Sequence, residues 1–295
     1  MTKHQASGDE ASLLDYLKAL PQYLLPHHAL SAVMHRLARI ETPVIKNAMI
    51  RFVIRHYQVD MSLARQSDYR AYPSFNAFFT RELKPQARPL PEDPRVIVSP
   101  VDGAISQLGA VREGRIFQAK GRDFGLQDLL GGDAGLARRF EGGRFATLYL
   151  SPRDYHRIHC PMDAQLREMI HVPGRLFSVN PATTRVIPGL FARNERVVAV
   201  FDTVLGPMAL VMVGAIFVSS IETVWAGEVT PPSHGAVQRW DYTPGQWIFR
   251  RGDEVGRFNM GSTVIVLFGD PRIQLWPGLQ SGAALVMGQP LAQAG

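Results

Sequence analysis

Thr203-Val-Leu-Gly-Pro-Met-Ala-Leu-Val-Met-Val-Gly-Ala-Ile-Phe-Val-Ser-Ser-Ile221 is the stretch on which the fold turns. Nineteen residues without a charge come close to the ~20 needed to cross a bilayer as a helix. Gly206-Pro207 breaks the run, Gly214, Ser219 and Ser220 interrupt the rest, and its flanks are acidic, Asp202 and Glu222. Its Val and Ile content and the Gly-Pro break predict two buried strands joined by a tight turn rather than a membrane helix.

Outward from this pair the same texture repeats. Short β-type runs are expected at Val96–Ser99, Phe145–Leu150, Gln165–His171, Arg196–Val204, Ala209–Ser219, Gln246–Phe249 and Thr263–Leu267, separated by Gly- and Pro-rich turns. The chain has 295 residues with 26 Gly and 21 Pro, 46% hydrophobic and 20% charged. That composition excludes disorder and favours many short strands over a helix bundle. One cysteine, Cys160, excludes an internal disulfide and a Cys-built zinc site and fits a reducing compartment. A net charge of +6 favours anionic partners, yet no block of like charge suggests a nucleic-acid arm.

The first seventy residues read differently. Pro21, Pro26 and Pro43 punctuate three short helix-like segments. The second, about Ala29 to Ile40, spaces Leu30, Val33, Met34, Leu37 and Ile40 as a helix face. The third opens at Pro43 and is expected to turn Ile45, Met49, Phe52 and Val53 inward. From Tyr16 to Gln58 six Lys/Arg (Lys18, Arg36, Arg39, Lys46, Arg51, Arg55) face one acid, Glu41. Such a basic, apolar-faced hairpin could lie on an anionic bilayer, or simply cap the fold with a solvated basic face. Ser74 is placed to cap a helix through Phe75, Phe78 and Phe79, three core candidates. A proline-rich linker, Lys84 to Pro94, follows. The expected fold class is α+β: a helical membrane-docking region, residues 1–70, then a mainly antiparallel β domain, residues 71–295.

Three motifs could carry chemistry. Ser99-Pro-Val-Asp-Gly103 is a turn by composition, and Asp102 on it could equally orient a histidine, as in a catalytic triad. Tyr155-His-Arg-Ile-His-Cys-Pro161 offers His156 and His159, readable as structural, as acid–base groups or as a metal pair, though no third ligand has suitable spacing. Cys160 beside His159 is a poor nucleophile pair, because sequence neighbours rarely point at each other. Gly261-Ser-Thr263, after Arg257-Phe-Asn-Met260, reads as a turn into a strand. It also reads as a strained peptide whose hydroxyl could attack the preceding carbonyl. Ser262 would then need a histidine base and a carboxylate to hold it.

Taken in order, these motifs resemble the bacterial-type phosphatidylserine decarboxylases. The resemblance runs through Phe75-Asn-Ala-Phe-Phe-Thr-Arg-Glu-Leu83, Arg88-Pro89, Ser99–Gly103, Asp154–Pro161, His171-Val-Pro-Gly174, Phe191-Ala-Arg-Asn-Glu-Arg196 and Gly256–Thr263. One departure is Met260, where the family usually has leucine; size and apolarity are kept. The resemblance implies a self-processing enzyme cut between Gly261 and Ser262 into chains 1–261 and 262–295, with Ser262 becoming a pyruvoyl group. Asp102, His159 and Ser262 match the cleavage triad, and His156 matches a histidine assigned to proton donation during decarboxylation. The pyruvoyl ketone would form a Schiff base with phosphatidylserine, act as electron sink for loss of CO2, and release phosphatidylethanolamine. No metal is implied. The chains would stay together as a non-covalent heterodimer, open to higher homo-oligomers, peripheral on the cytoplasmic side of the cell membrane. Two competing readings are a pyruvoyl decarboxylase of a soluble amino acid and a non-enzymatic membrane-binding β module.

Overall fold

A computed structural model describes residues 11–218, 220–231 and 235–295. The opening stretch supplies only the second strand of a hairpin: Arg196–Thr203 pairs antiparallel with Gly206–Val213 across Val204-Leu205, so the turn precedes Gly206-Pro207, and Gly206 takes a left-handed φ of 88° beside it. Both strands are almost wholly buried. They form part of a nine-stranded antiparallel sheet, whose path runs Gln238–Asp241, Ala164–Val172, Arg196–Thr203, Gly206–Val213, Thr263–Phe268, Arg144–Tyr149, Gly103–Ala110, Ala284–Leu285, with Ile248–Phe249 as the ninth strand, paired to Ala164–Val172 off that path. Strand Thr263–Phe268 lies in mid-sheet with all six residues buried. Covered on both faces, it reads as a continuous apolar run rather than an alternating one. Each of its aliphatic or aromatic side chains contributes about 1.5–3 kcal/mol by leaving water.

A second antiparallel sheet of four strands has the order Gly227–Glu228, Ile221–Thr223, Glu254–Phe258, Arg157–His159. Residues 259–262 therefore pass from the second sheet into the first. Two expected strands are shorter than their apolar runs. Ala209–Ser219 ends at Val213, because the Gly214 N–H goes to Glu195 O (2.8 Å) and residues 215–218 turn away; Ser219 lies outside the described residues. Gln246–Phe249 pairs only at Ile248–Phe249. Among the described residues no helix is long and apolar enough to cross a membrane.

Helix α1 (Leu13–Ala19) opens with a reciprocal cap between Ser12 and Asp15. The Asp15 carboxylate also accepts from Arg185 Nε and Nη2, both at 3.0 Å. Helix α2 (His27–Ala38), two residues earlier than expected at each end, is tied down by His28 Nε2 donating to Gly174 O (3.0 Å) and by Arg39 to Glu228 (2.7 Å). Helix α3 (Pro43–Tyr57) has Pro43 in its first turn and stops at Gln58, whose φ is 56°. Its buried residues are Lys46, Ile50 and Val53. Ile45 and Phe52, expected to face inward, are exposed instead. The reason is Lys46: its ammonium donates to Arg70 O (2.9 Å) and Asn47 Oδ1 (2.8 Å), which turns that flank toward the protein. The apolar flank is left open. Helix α4 (Phe75–Phe79) carries the expected Ser74 cap, and Phe75, Phe78 and Phe79 form a core with Ile50, Val53 and Tyr72.

Candidate active site

Backbone pairing brings the three motifs to one place. Thr263 is opposite both Tyr149 and Val213, and Leu150 N–H donates to Ser262 O (2.8 Å). The Asp102-Gly103 turn abuts the same strand end: a side chain at Gly103 would collide with Tyr149 O. His159 N–H donates to Pro100 O (2.8 Å), and Phe258 N–H to His156 O (3.0 Å). Ser262, both histidines and Asp102 are all buried.

Ser262 donates its hydroxyl to the Val213 carbonyl. Before it, Met260 holds a φ of 116°, a conformation a side-chain-bearing residue rarely adopts. Gly261 cannot carry a side chain. A Cβ there would collide with His156 Nε2 and lie 2.8 Å from Cδ2. His156 thus sits directly against the Gly261-Ser262 peptide. Its Nδ1–H donates to Asp154 O (2.8 Å), which leaves Nε2 as the bare, accepting nitrogen, without a partner. Burial first, then the Arg81 charge, hold its pKa down at about 3. The ring leans on Phe79 with centroids 4.1 Å apart.

His159 is engaged at both nitrogens. Nδ1–H donates to Gly252 O (2.7 Å), and Nε2 accepts from the Tyr155 hydroxyl (3.0 Å). Burial depresses its pKa, against the opposing pull of that carbonyl. Asp102 does not hydrogen-bond His159: Arg88 takes it with Nε at 2.9 Å and with Nη2, and Met287 N–H adds a third bond at 2.8 Å. The Asp102 charge still favours protonation of His159 through space. Cys160 is buried with its thiol donating to Met162 O (3.0 Å) and its pKa pushed up to about 12, so it is no nucleophile.

Residues passed over in the sequence hold these groups in place. Asn259 donates to Ser220 Oγ (2.7 Å) and accepts from Asn76 of α4 (3.1 Å), pinning the segment before Gly261. Arg257 pairs with Glu222. Asn76, Arg88, Tyr155, Arg257 and Asn259 all lie inside the quoted motifs; polarity amid apolar neighbours was the available signal for Asn76, Arg88 and Asn259, whereas Tyr155, between Asp154 and His156, carries none. Against Gly261 opens an apolar cavity of about 730 Å³, whose far wall is Met34 of α2 and Met49, Phe52 and Tyr57 of α3.

A buried hydroxyl beside a strained peptide, two buried histidines and a carboxylate thus lie close together, with Gly261 lining an apolar cavity. A family profile described as Phosphatidylserine decarboxylase matches residues 75–293, and a second, described as PSD, matches 17–58. The phosphatidylserine decarboxylase proenzyme of Alkalilimnicola ehrlichii is 60% identical over 258 residues, 87% of this chain and 90% of that protein. That of Azotobacter vinelandii is 55% identical over 283 residues, covering 95% and 99%. The Bordetella pertussis proenzyme is 58% identical over 281 residues, 94% of each. The chain belongs to the phosphatidylserine decarboxylase family.

Proposed function

We propose that the chain cuts itself between Gly261 and Ser262 and then decarboxylates phosphatidylserine at a membrane surface, releasing phosphatidylethanolamine and CO2. The observation that carries this reading is the cavity, which is lined both by Gly261 and by Met49, Phe52 and Tyr57 of α3. A diacyl lipid needs such an apolar path to bring its headgroup to buried groups, whereas free serine does not.

Self-cleavage balances as follows. The Ser262 oxygen attacks the Gly261 carbonyl carbon, the amide nitrogen leaves and takes the hydroxyl proton, and an ester results. Loss of the Ser262 α-proton and breakage of its Cβ–Oγ bond then free a Gly261 carboxylate. Water converts the resulting enamine to a ketone, with release of ammonia. His159 is the base for the hydroxyl and Asp102 its orienting carboxylate. For these roles His159 Nε2 must leave Tyr155, and Asp102 must exchange part of its Arg88 bond for the imidazole.

The residues present fit a pyruvoyl group at position 262: the site is buried, the preceding Met260 and Gly261 line an apolar cavity, and His156 leaves no room for a side chain at 261. The pyruvoyl ketone supplies an electron sink for the pair left behind when CO2 departs. The chain's own part is proton handling. Nε2 of His156 accepts a proton from the substrate ammonium, which makes the amine nucleophilic, and returns it to the α-carbon after CO2 is lost.

Docking is peripheral, on the anionic cytoplasmic face of the cell membrane. Leu24, Val44 and Phe52 are 90%, 80% and 62% exposed on a segment rich in Lys and Arg, the pattern of an interfacial anchor. Turnover of phosphatidylserine in vesicles compared with free serine tests the substrate. Comparable rates on both would overturn the lipid assignment, an active enzyme whose chain is still whole would overturn the cut, and an intact mass for residues 262–295 with unmodified serine would overturn the pyruvoyl conversion.

A further inference from the structure

We propose that the cut gives His156 a new partner, the terminal carboxylate of Gly261, and that this group, present only in the mature enzyme, holds the protonated form of His156 during decarboxylation. This rests on the cleavage position argued above.

In the uncut chain His156 can take a proton but cannot keep one. Its Nδ1–H is committed to Asp154 O, and Nε2 is fully buried with no partner. Among the described residues the charged side chain that bears on it is Arg81, of the same sign as the imidazolium. Phe79 of α4 and the Gly261 backbone cover other sides of the ring, and neither offers a charge. Arg81 is itself a buried cation with no direct ion pair among the described residues, the Asp102 and Asp154 carboxylates acting on it only through space. Its Nη2 donates to Arg153 O (3.0 Å) and Asp154 O (3.4 Å), its Nε and Nη1 have no partner, and no carboxylate pairs with it among the described residues. A buried unneutralised charge is costly, and here it flanks the histidine nearest the scissile peptide.

Elimination of the ester changes this. The bond between Ser262 Oγ and Cβ breaks, its electron pair stays on the oxygen, and Gly261 ends in a carboxylate. That carboxylate is bonded to the Gly261 Cα, whose hydrogen already faces Nε2, so rotation about one backbone bond brings an oxygen to the imidazole. An opposite charge within about 4–6 Å raises a histidine's proton affinity by roughly one to three units, and the effect is stronger where water is excluded. The same charge gives Arg81 a counter-ion. His156 thereby changes from an acceptor that releases its proton at once into one that can carry it from the ammonium to the α-carbon. Proton storage therefore switches on with the same cut that makes the ketone.

The test is 15N NMR of histidine-labelled protein in detergent micelles, titrated with pH, with the His156 signals assigned by their loss in His156→Gln. Mature enzyme is compared with the uncut Ser262→Ala chain, and intact mass is measured on both. The expected result is a His156 midpoint at least one unit higher in the mature enzyme. Equal midpoints would overturn the proposal. So, without recourse to the variant, would a mature His156 still neutral at pH ~4, below the range that a shift of this size predicts. A large chain that does not end at Gly261 would overturn the cleavage reading itself, an outcome the mass separates from a failure of the titration.

Discussion

Replacing Gly261 by alanine puts a methyl group into space His156 occupies, with Nε2 in direct collision and Cδ2 at 2.8 Å. The ring cannot yield freely, since Nδ1 is bonded to Asp154 O at 2.8 Å and the face rests on Phe79. Overpacking a buried site of this kind costs about 1–3 kcal/mol. At ~2–4 °C per kcal/mol for a large domain, melting should fall by several degrees. The larger effect is on self-cleavage. If the collision moves the scissile carbonyl by ~1 Å, the reaction slows about a hundredfold. The assay is a time course of full-length chain on a denaturing gel after synthesis, with the melting temperature read in parallel. Cutting at the wild-type rate would refute the geometry. The pair Gly261→Ala with His156→Ala sharpens the result. Removing the ring should recover at least about 1 kcal/mol of the stability lost, and strict additivity would show that the two residues do not touch.

Ser262→Ala and His159→Ala should each leave the chain uncut and inactive; normal cutting by the His159 variant, seen by gel, removes it as the base. Arg88→Gln strips the buried Asp102 of its cation and should destabilise the fold by about 3 kcal/mol, with Arg88→Lys milder, measured by urea unfolding. Because the folded His156 binds its proton less readily than an unfolded histidine, its contribution to stability is complete above about 6.5 and is lost as pH falls toward about 3. The uncut Ser262→Ala chain should therefore melt progressively lower across that window, and adding His156→Gln should flatten the slope. Phe52→Glu together with Leu24→Glu should weaken binding to anionic vesicles in flotation, while self-cleavage proceeds.

The hairpin that opens the long uncharged stretch was legible from its Gly-Pro break and β-branched or aliphatic residues, but the turn is Val204-Leu205, and Gly206 and Pro207 already pair in the second strand. Where that stretch stops being a strand was not legible. Past Gly214 the chain stays apolar after leaving the sheet, since Ala215, Ile216 and Phe217 line the cavity beside Gly261 and Val218 packs into the core. The same ambiguity misplaced Ile45 and Phe52: helical periodicity identifies an apolar face but not whether protein covers it. Lys46, the residue that decides, is a cation whose burial depends on a carbonyl 24 positions away. At the site, motif order points to Asp102, His156, His159 and Ser262, and all four are buried. Their pairings depend on side chains such as Arg88 and Tyr155, whose reach across strands leaves no trace in local spacing.

Strand Thr263–Phe268 is bonded on one side to Arg144–Tyr149 and on the other to Gly206–Val213 through six registered positions each. A fragment beginning at residue 262 would therefore own the middle plank of a sheet whose neighbouring planks belong to the other fragment. Neither piece could be withdrawn without stripping two hydrogen-bonded edges and exposing six buried residues to water. An affinity tag at either terminus should therefore retrieve both fragments, and only denaturant should part them.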